Sequence, residues 1–302
     1  MTLHLIDYQF LEEENKNMVI KKVDLYEYYS IERNGANGGF LTLYILENSP
    51  EINMKRKYPC MIIFPGGGYE FVSDREKDPI ALHFVNQGFI SCYLDYSIKP
   101  HAINNNPLKE AMMALKYIKE NAEKYNIIND KIAGIGFSAG GHLLGLLSTL
   151  TKEEKKLVDN YSFDLNASIY SYPVISSEDK ITHLSSLLNL GADTKAKRDK
   201  LSIDKRINNN SPISFIWHTK EDIVVPYENS LILKEALDKY DINNEIHIFE
   251  KGNHGYSRCD SLVFVKGFID ESINQASAWL IYLNKWLKKE LLKIFLPIIY
   301  LH

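Results

Sequence analysis

The chain reads as an α/β protein built on a mostly parallel, twisted sheet with helices on both faces. Three observations carry this. Strand-like apolar runs alternate with segments of helical periodicity along most of the 302 residues, as in a parallel sheet crossed over by helices. No internal repeat and no Pro/Gly/Ser-rich linker divides the chain. Gly136-Phe137-Ser138-Ala139-Gly140 lies between an apolar run and a helix-like segment, which is a strand, tight turn and helix in sequence.

The elements follow in order. Val19 to Ile31 and Phe40 to Leu46 form an opening antiparallel pair around the Asn34-Gly35 and Gly38-Gly39 turn signals. Cys60 to Phe64 and Phe89 to Leu94 are short apolar strands. Pro107 opens a helix to Tyr125, with Leu108, Ala111, Leu115, Ile118 and Ala122 at helical spacing. The strand Lys131 to Phe137 then turns sharply at Ser138 into the helix Ala139 to Leu150. Strands Ala167 to Tyr172 and Ile213 to His218 follow, then a helix from Pro226 to about Tyr240, the strand Glu245 to Phe249, and a closing helix from Ile273 to Leu292. Ser176 to Asn210 breaks the alternation. It is polar and too long for a simple connection, and it reads as a small helical insertion within one domain of residues 1–290, placed as a lid over a site or as a surface excursion.

Composition removes several classes. Apolar residues are 45% and charged residues 25% of the chain, ordinary for a folded protein, and a chain of this length buries most of its surface without staples. Lys plus Arg at 35 against Asp plus Glu at 39 gives a net charge of −4, with no basic footprint for nucleic acid. Cys60, Cys92 and Cys259 form no CxxC or Cys/His metal spacing; Cys60 and Cys92 read as small buried hydrophobes. Residues 1–17 lack the basic start and apolar core of a signal peptide, so a cytoplasmic setting is expected. Leu291 to His302 is almost wholly apolar and contains Pro297. It falls short of the roughly 20 residues of a spanning helix, so it is expected to dock on the domain or on a second subunit of a homo-oligomer rather than on a membrane.

The chemistry begins at Ser138. In G-x-S-x-G the serine sits on a strained turn, and side chains at 136 or 140 would collide with the neighbouring strand and helix. The helix N-terminus sets backbone N–H groups and the positive end of the dipole beside the hydroxyl. Pro65-Gly66-Gly67-Gly68-Tyr69 ends an earlier strand. Its glycines let the N–H of Gly67 or Gly68 approach an acyl oxygen, with the Ala139 N–H as the other donor of an oxyanion hole. A phosphate cradle is the rival, but the Lys and Ser/Thr of a P-loop do not follow.

A serine hydroxyl needs a base, and the base an orienting carboxylate. His254 lies in the Gly-flanked loop Lys251 to Tyr256, at the C-terminal end of a strand, where sites in such sheets form. Asp222, in Lys220 to Pro226, follows another strand and is preferred to its neighbour Glu221. His247 reads as a surface or second-layer side chain and His142 as a packing residue, while His83, His101 and His183 lack a comparable setting. Tyr69 and Tyr256 flank the site in sequence as candidate substrate contacts. No metal or organic cofactor is required.

Together, FPGGGYEFVSDREKDPIALHFVNQGFISCYLDYSI, GFSAGGHL, HTKEDIVVPYENS and FEKGNHGYS resemble the α/β-hydrolase superfamily, and within it the bacterial acetyl esterases and acetylxylan-esterase-like enzymes, over about Lys57 to Trp286. The chain order Ser138, Asp222, His254 is the order of that superfamily. Many lipase-like relatives have His before the triple glycine, where this chain has Pro65. The resemblance implies an acyl-enzyme esterase acting on a short, typically acetyl, ester of a carbohydrate such as an acetylated xylo-oligosaccharide. A long-chain lipase and a serine peptidase share the fold; the blades of a prolyl-oligopeptidase propeller would not fit before the glycine loop. The non-enzymatic alternative is a hydrolase-fold ligand receptor.

Overall fold

The computed structural model describes residues 18–159, 161–263 and 273–293. The segment read above as lacking a signal peptide, 1–17, and most of the apolar tail, 294–302, lie outside the described residues. The strands are β1 (Met18–Asp24), β2 (Phe40–Leu46), β3 (Tyr58–Phe64), β4 (Ile90–Asp95), β5 (Ile127–Phe137), β6 (Ala167–Ser171), β7 (Ile213–Thr219) and β8 (Asn244–Phe249). The helices are α1 (Leu25–Tyr28), α2 (Asp78–Asn86), α3 (Asn106–Glu120), α4 (Ala139–Ser148), α5 (Leu184–Asn189), α6 (Lys195–Leu201), α7 (Glu228–Asp238), α8 (Ile273–Ala276) and α9 (Trp279–Trp286).

These strands form one sheet in the order β1-β2-β4-β3-β5-β6-β7-β8. The β1/β2 and β2/β4 pairs are antiparallel and the pairs from β4 through β8 are parallel. Alternation along a strand feeds two cores. In β3, Cys60, Ile62 and Phe64 join the apolar layer under α3, α4 and α7, while Met61 and Ile63 join the layer under α2 and α9. A central strand buried on both faces reads as an unbroken apolar run for this reason. In α3, Leu108, Ala111, Met112, Leu115 and Ile118 are buried at helical spacing. All three cysteines are buried and unpaired.

Several elements differ from the sequence expectation, α3 ending at Glu120 rather than Tyr125 and β5 beginning at Ile127 rather than Lys131. The run from Val19 stops at Asp24, whose carboxylate accepts from the Tyr26 and Glu27 N–H groups at 3.0 and 3.2 Å and so caps the short α1. Helix α2 was not expected; Ile80, Ala81 and Phe84 give it a buried face, and Pro79 opens its first turn. The closing helix is divided: α8 and α9 are separate, and Leu287–Leu291 forms a π-helical turn. Trp279, Leu283 and Trp286 nonetheless share its buried face. At the start of the tail Leu291 is buried, and the Lys131 ammonium donates to the Leu292 carbonyl at 2.9 Å. The 176–210 insertion is helical, through α5 and α6. Among the described residues no helix is long and apolar enough to cross a membrane.

Trp279 fastens α9 to the sheet. It is fully buried, stacks on Trp217 with ring centroids 4.8 Å apart, and its indole N–H donates to the Ser257 carbonyl at 3.0 Å. Trp279→Ala should lower the unfolding free energy by about 3–5 kcal/mol in urea denaturation. A loss below about 1 kcal/mol would mean that α9 contributes little to the fold.

Candidate active site

The three expected polar residues come from the C-terminal ends of three parallel strands and meet. Ser138 follows β5 directly, Asp222 lies in the loop after β7, and His254 in the loop after β8. The Ser138 backbone is held at φ 52°, ψ −118°, a conformation that L-residues avoid. Its N–H donates to the Ser171 carbonyl at 3.0 Å, and its own carbonyl accepts from Val174 N–H at 3.1 Å. The glycines act as the sequence implied: a Cβ on Gly136 would meet the Gly140 carbonyl, and one on Gly140 would meet the Phe64 carbonyl.

His254 bridges the other two residues. Its Nε2 lies 2.7 Å from Ser138 Oγ and its Nδ1 2.6 Å from Asp222 Oδ2. The carboxylate only accepts, so Nδ1 carries the proton and Nε2 is left to accept from the serine hydroxyl. Asp222 is the most heavily supported group here. Its Oδ1 accepts from the Val224 and Val225 N–H groups at 3.0 and 2.9 Å. Burial alone would raise its pKa, but hydrogen bonds from His218 and His254 and their charges outweigh burial and hold the carboxyl well below the usual carboxylate range.

His218, near the end of β7, also belongs to the site, although the sequence favours Asp222 there. Its Nε2 lies 3.1 Å from the same Asp222 oxygen and 2.9 Å from the Val225 carbonyl, and its Nδ1 lies 2.8 Å from Ser230 Oγ. Facing two acceptors, Nε2 carries the proton; Nδ1 accepts from the Ser230 hydroxyl. The signal was present as a histidine at a strand end, four residues before the aspartate. Glu221 turns outward, accepting from the Lys251 ammonium at 2.6 Å and the Gly252 N–H at 3.1 Å.

The cleft above Ser138 holds about 250 Å³ and is walled by Gly67 and Gly68, by His254, and by Phe71, Arg75 and Val224. Gly67 and Gly68 have φ of 124° and 65°, the left-handed region open to glycine. Among the described residues no acceptor takes the N–H of Gly67, Gly68 or Ala139. The Gly66 N–H is occupied, donating to Glu76 Oε2 at 2.6 Å. The insertion also reaches the cleft: His183 and Ser185 line it, and Asn189 Nδ2 donates to the Gly68 carbonyl at 2.9 Å. No local pattern in the sequence points to His183 at this position.

The two tyrosines lie elsewhere. Tyr69 is fully buried, and its hydroxyl pairs with His142 Nδ1 at 2.9 Å. Tyr256 is half-buried against the α9 core, its hydroxyl accepting from Asn253 Nδ2 at 3.1 Å. Neither lines the cleft. Proximity in sequence misplaced them because Tyr69, at φ 58°, turns its ring beneath the glycine loop. His142 packs as expected: its Nε2 donates to the Leu201 carbonyl at 2.8 Å. Among the described residues no group of three His, Cys, Asp or Glu could hold a metal ion.

The BD-FAE family model matches residues 48–237. The chain is 35% identical over 208 residues to endo-1,4-beta-xylanase B of Butyrivibrio fibrisolvens, covering 66% of this chain and 32% of that protein, so it spans only about a third of that curated relative. Among solved structures it is similar to MGS-M1, an alpha/beta hydrolase enzyme from a Medee basin deep-sea metagenome library (TM-score 0.73, 34% identity, 92% of this chain and 99% of that one). It is also similar to the acetyl ester-xyloside bifunctional hydrolase of Caldicellulosiruptor lactoaceticus (TM-score 0.70, 29% identity, 83% of this chain and 87% of that one).

Burial pushes the His142 pKa from 6.5 down to about 4, so the fold excludes a proton that the unfolded chain accepts. The unfolded state therefore binds more protons between these values. The resulting stability, about 3 kcal/mol, is complete above pH 6.5 and lost as pH falls to 4. Urea denaturation across that window should show the decline, and His142→Gln should flatten it. An unchanged slope in the variant would assign the acid sensitivity to other groups.

Proposed function

The chain belongs to the BD-FAE family and has the α/β-hydrolase fold, and we propose that it is a serine esterase that cleaves short-chain acyl esters, acetyl above all, carried on carbohydrate. The observation that supports this most directly is the unbroken hydrogen-bonded line from Ser138 Oγ through His254 to Asp222, at 2.7 and 2.6 Å, beside unoccupied backbone donors. In this mechanism Ser138 Oγ attacks the ester carbonyl carbon as His254 Nε2 takes its proton, and the carbonyl electrons move onto oxygen. The N–H groups of Gly67 or Gly68 and of Ala139 hold that oxyanion; one such donor supplies about 3–4 kcal/mol. Asp222, kept ionised by four donors, holds the imidazolium. The tetrahedral intermediate collapses, the alcohol departs with the proton from His254, and the acyl group remains on Ser138. Water then repeats the cycle and releases the acid.

The substrate class rests on size and on kinship. A cleft of about 250 Å³ has room for a small acyl group and part of its alcohol. The similar Caldicellulosiruptor enzyme is an acetyl ester-xyloside bifunctional hydrolase. A preference for longer or aromatic acyl groups is the second reading, favoured by Phe71, which is 56% exposed at the cleft.

Initial rates on p-nitrophenyl esters separate these. The acetate should turn over fastest, with kcat/KM falling steeply through butyrate to octanoate, whereas a rise with chain length would select the second reading. Ser138→Ala should cost on the order of 10⁶-fold in kcat and leave the fold intact; activity retained in it would sink the serine mechanism. Asp222→Asn should lose about 10⁴-fold, because the amide no longer enforces the His254 tautomer.

A further inference from the structure

We propose that Glu76 is a positioning residue of the Ser138 centre: with Tyr172 it ties the glycine loop that carries the oxyanion donors to the loop that carries His254. The proposal deepens the esterase reading and rests on it.

Glu76 is a buried carboxylate in the wall of the Ser138 cleft, and among the described residues it forms no ion pair. Its two oxygens are divided between two loops. Oε2 accepts from the Gly66 N–H at 2.6 Å. Oε1 accepts from the Tyr172 hydroxyl, also at 2.6 Å. The Tyr172 oxygen in turn accepts from the Ser257 N–H at 2.9 Å, and the Ser257 hydroxyl donates to the Arg75 carbonyl at 2.6 Å. The circuit thus closes on the residue beside Glu76. It includes a residue before the donors Gly67 and Gly68, and one three positions after His254. The Tyr172 ring also stands edge-on to the His254 imidazole, with centroids 5.1 Å apart.

The backbone is bent to serve this circuit. Tyr172 and Ser257 have φ of 38° and 50°, the left-handed region that residues with a Cβ rarely adopt and that surrounding structure must enforce. The circuit also lies directly against the nucleophile. A Cβ on Gly66 would stand 2.9 Å from Glu76 Oε2 and 3.0 Å from Ser138 Cβ. Any displacement of Glu76 therefore reaches the oxyanion loop with no intervening side chain. Burial raises the pKa of the Glu76 carboxyl, against the donated bonds from Tyr172 and Gly66; an apolar residue would carry no such cost but could not join the two loops.

Oxyanion donors act only within a narrow distance of the developing charge, and a misplacement of about 1 Å costs about 100-fold. Hydrolysis of p-nitrophenyl acetate by the full chain, with folding checked by circular dichroism, tests the bridge. Tyr172→Phe and Glu76→Ala should each lose about 10- to 100-fold in kcat with KM within about twofold. The double variant should fall no further than Glu76→Ala, because both changes cut one connection. Glu76→Gln should keep kcat within about fivefold, since its amide can accept from Gly66 and donate to the Tyr172 oxygen. If Glu76→Ala does not fold, Tyr172→Phe against Glu76→Gln decides. A kcat within about threefold of the unmodified chain in Tyr172→Phe, or a Glu76→Gln as slow as Tyr172→Phe, would overturn the proposal. Ser138→Ala, run alongside, isolates the other failure: full activity there overturns the esterase reading itself.

Discussion

Where α4 begins, three backbones crowd together, and the site follows from that crowding. Gly140 lies so close to the end of β3 that a Cβ would enter the Phe64 carbonyl, and Gly136 so close to the first turn of α4 that a Cβ would enter the Gly140 carbonyl. With both positions reduced to backbone, β5 can pass into α4 through the single residue Ser138. The cost is a φ of 52° at a residue with a side chain. The hydroxyl is thereby placed at the end of the sheet, beside the N-terminal N–H groups of the helix, with the glycine loop after β3 against it. A wider approach of α4 would relax Ser138 and separate it from that loop.

Two buried carboxylates stand on either side of this turn under opposite electrostatics. Asp222 is surrounded by donors: two histidine ring nitrogens and two backbone N–H groups. Burial disfavours its charge and the donors more than compensate. Glu76 has two donors, and there burial wins. The difference is one of count, four donors against two. It divides the labour around His254, with a firmly ionised partner at Nδ1 and a hydrogen-bonded clamp on the loops.

The parts of this arrangement visible in the sequence are those written in local periodicity and turn chemistry. Apolar runs gave the parallel strands, and glycine spacing gave the turn at Ser138 and the loop at Gly67 and Gly68. Position at strand ends was enough to bring Asp222 and His254 to Ser138. Helix α2 escaped notice because its buried face is only three residues, Ile80, Ala81 and Phe84. The β1 run was overextended because the capping carboxylate of Asp24 sits inside an apolar stretch. Glu76 and Tyr172 stayed hidden for another reason. Their roles are set by partners reached across the fold (Gly66 with Glu76, Tyr172 with Ser257), and no local pattern encodes such a pairing. Tyr69 and Tyr256 erred in the opposite sense: they are neighbours in sequence whose left-handed or half-buried settings turn them from the cleft.

One wall of the cleft lies where the sequence is least regular. Segment 176–210 has no strand and little apolar period, yet it supplies one wall of the cleft through His183 and Ser185 and holds the glycine loop through Asn189 to the Gly68 carbonyl. Buried Leu187, Ile203 and Ile207 anchor it, and Asp199 accepts from Lys195, Lys205 and Ser177 at 2.6, 2.8 and 2.6 Å. Such contacts are individually weak at the surface but together tie α6 to Ser177 and Lys205. Ser138, His254 and Asp222 hang from strand ends, which the two cores hold rigidly, while one wall of the cleft hangs from this polar excursion. Changes in 176–210 can therefore alter what the cleft admits without moving Ser138, His254 or Asp222, the separation of scaffold and recognition that lets one fold host many substrates.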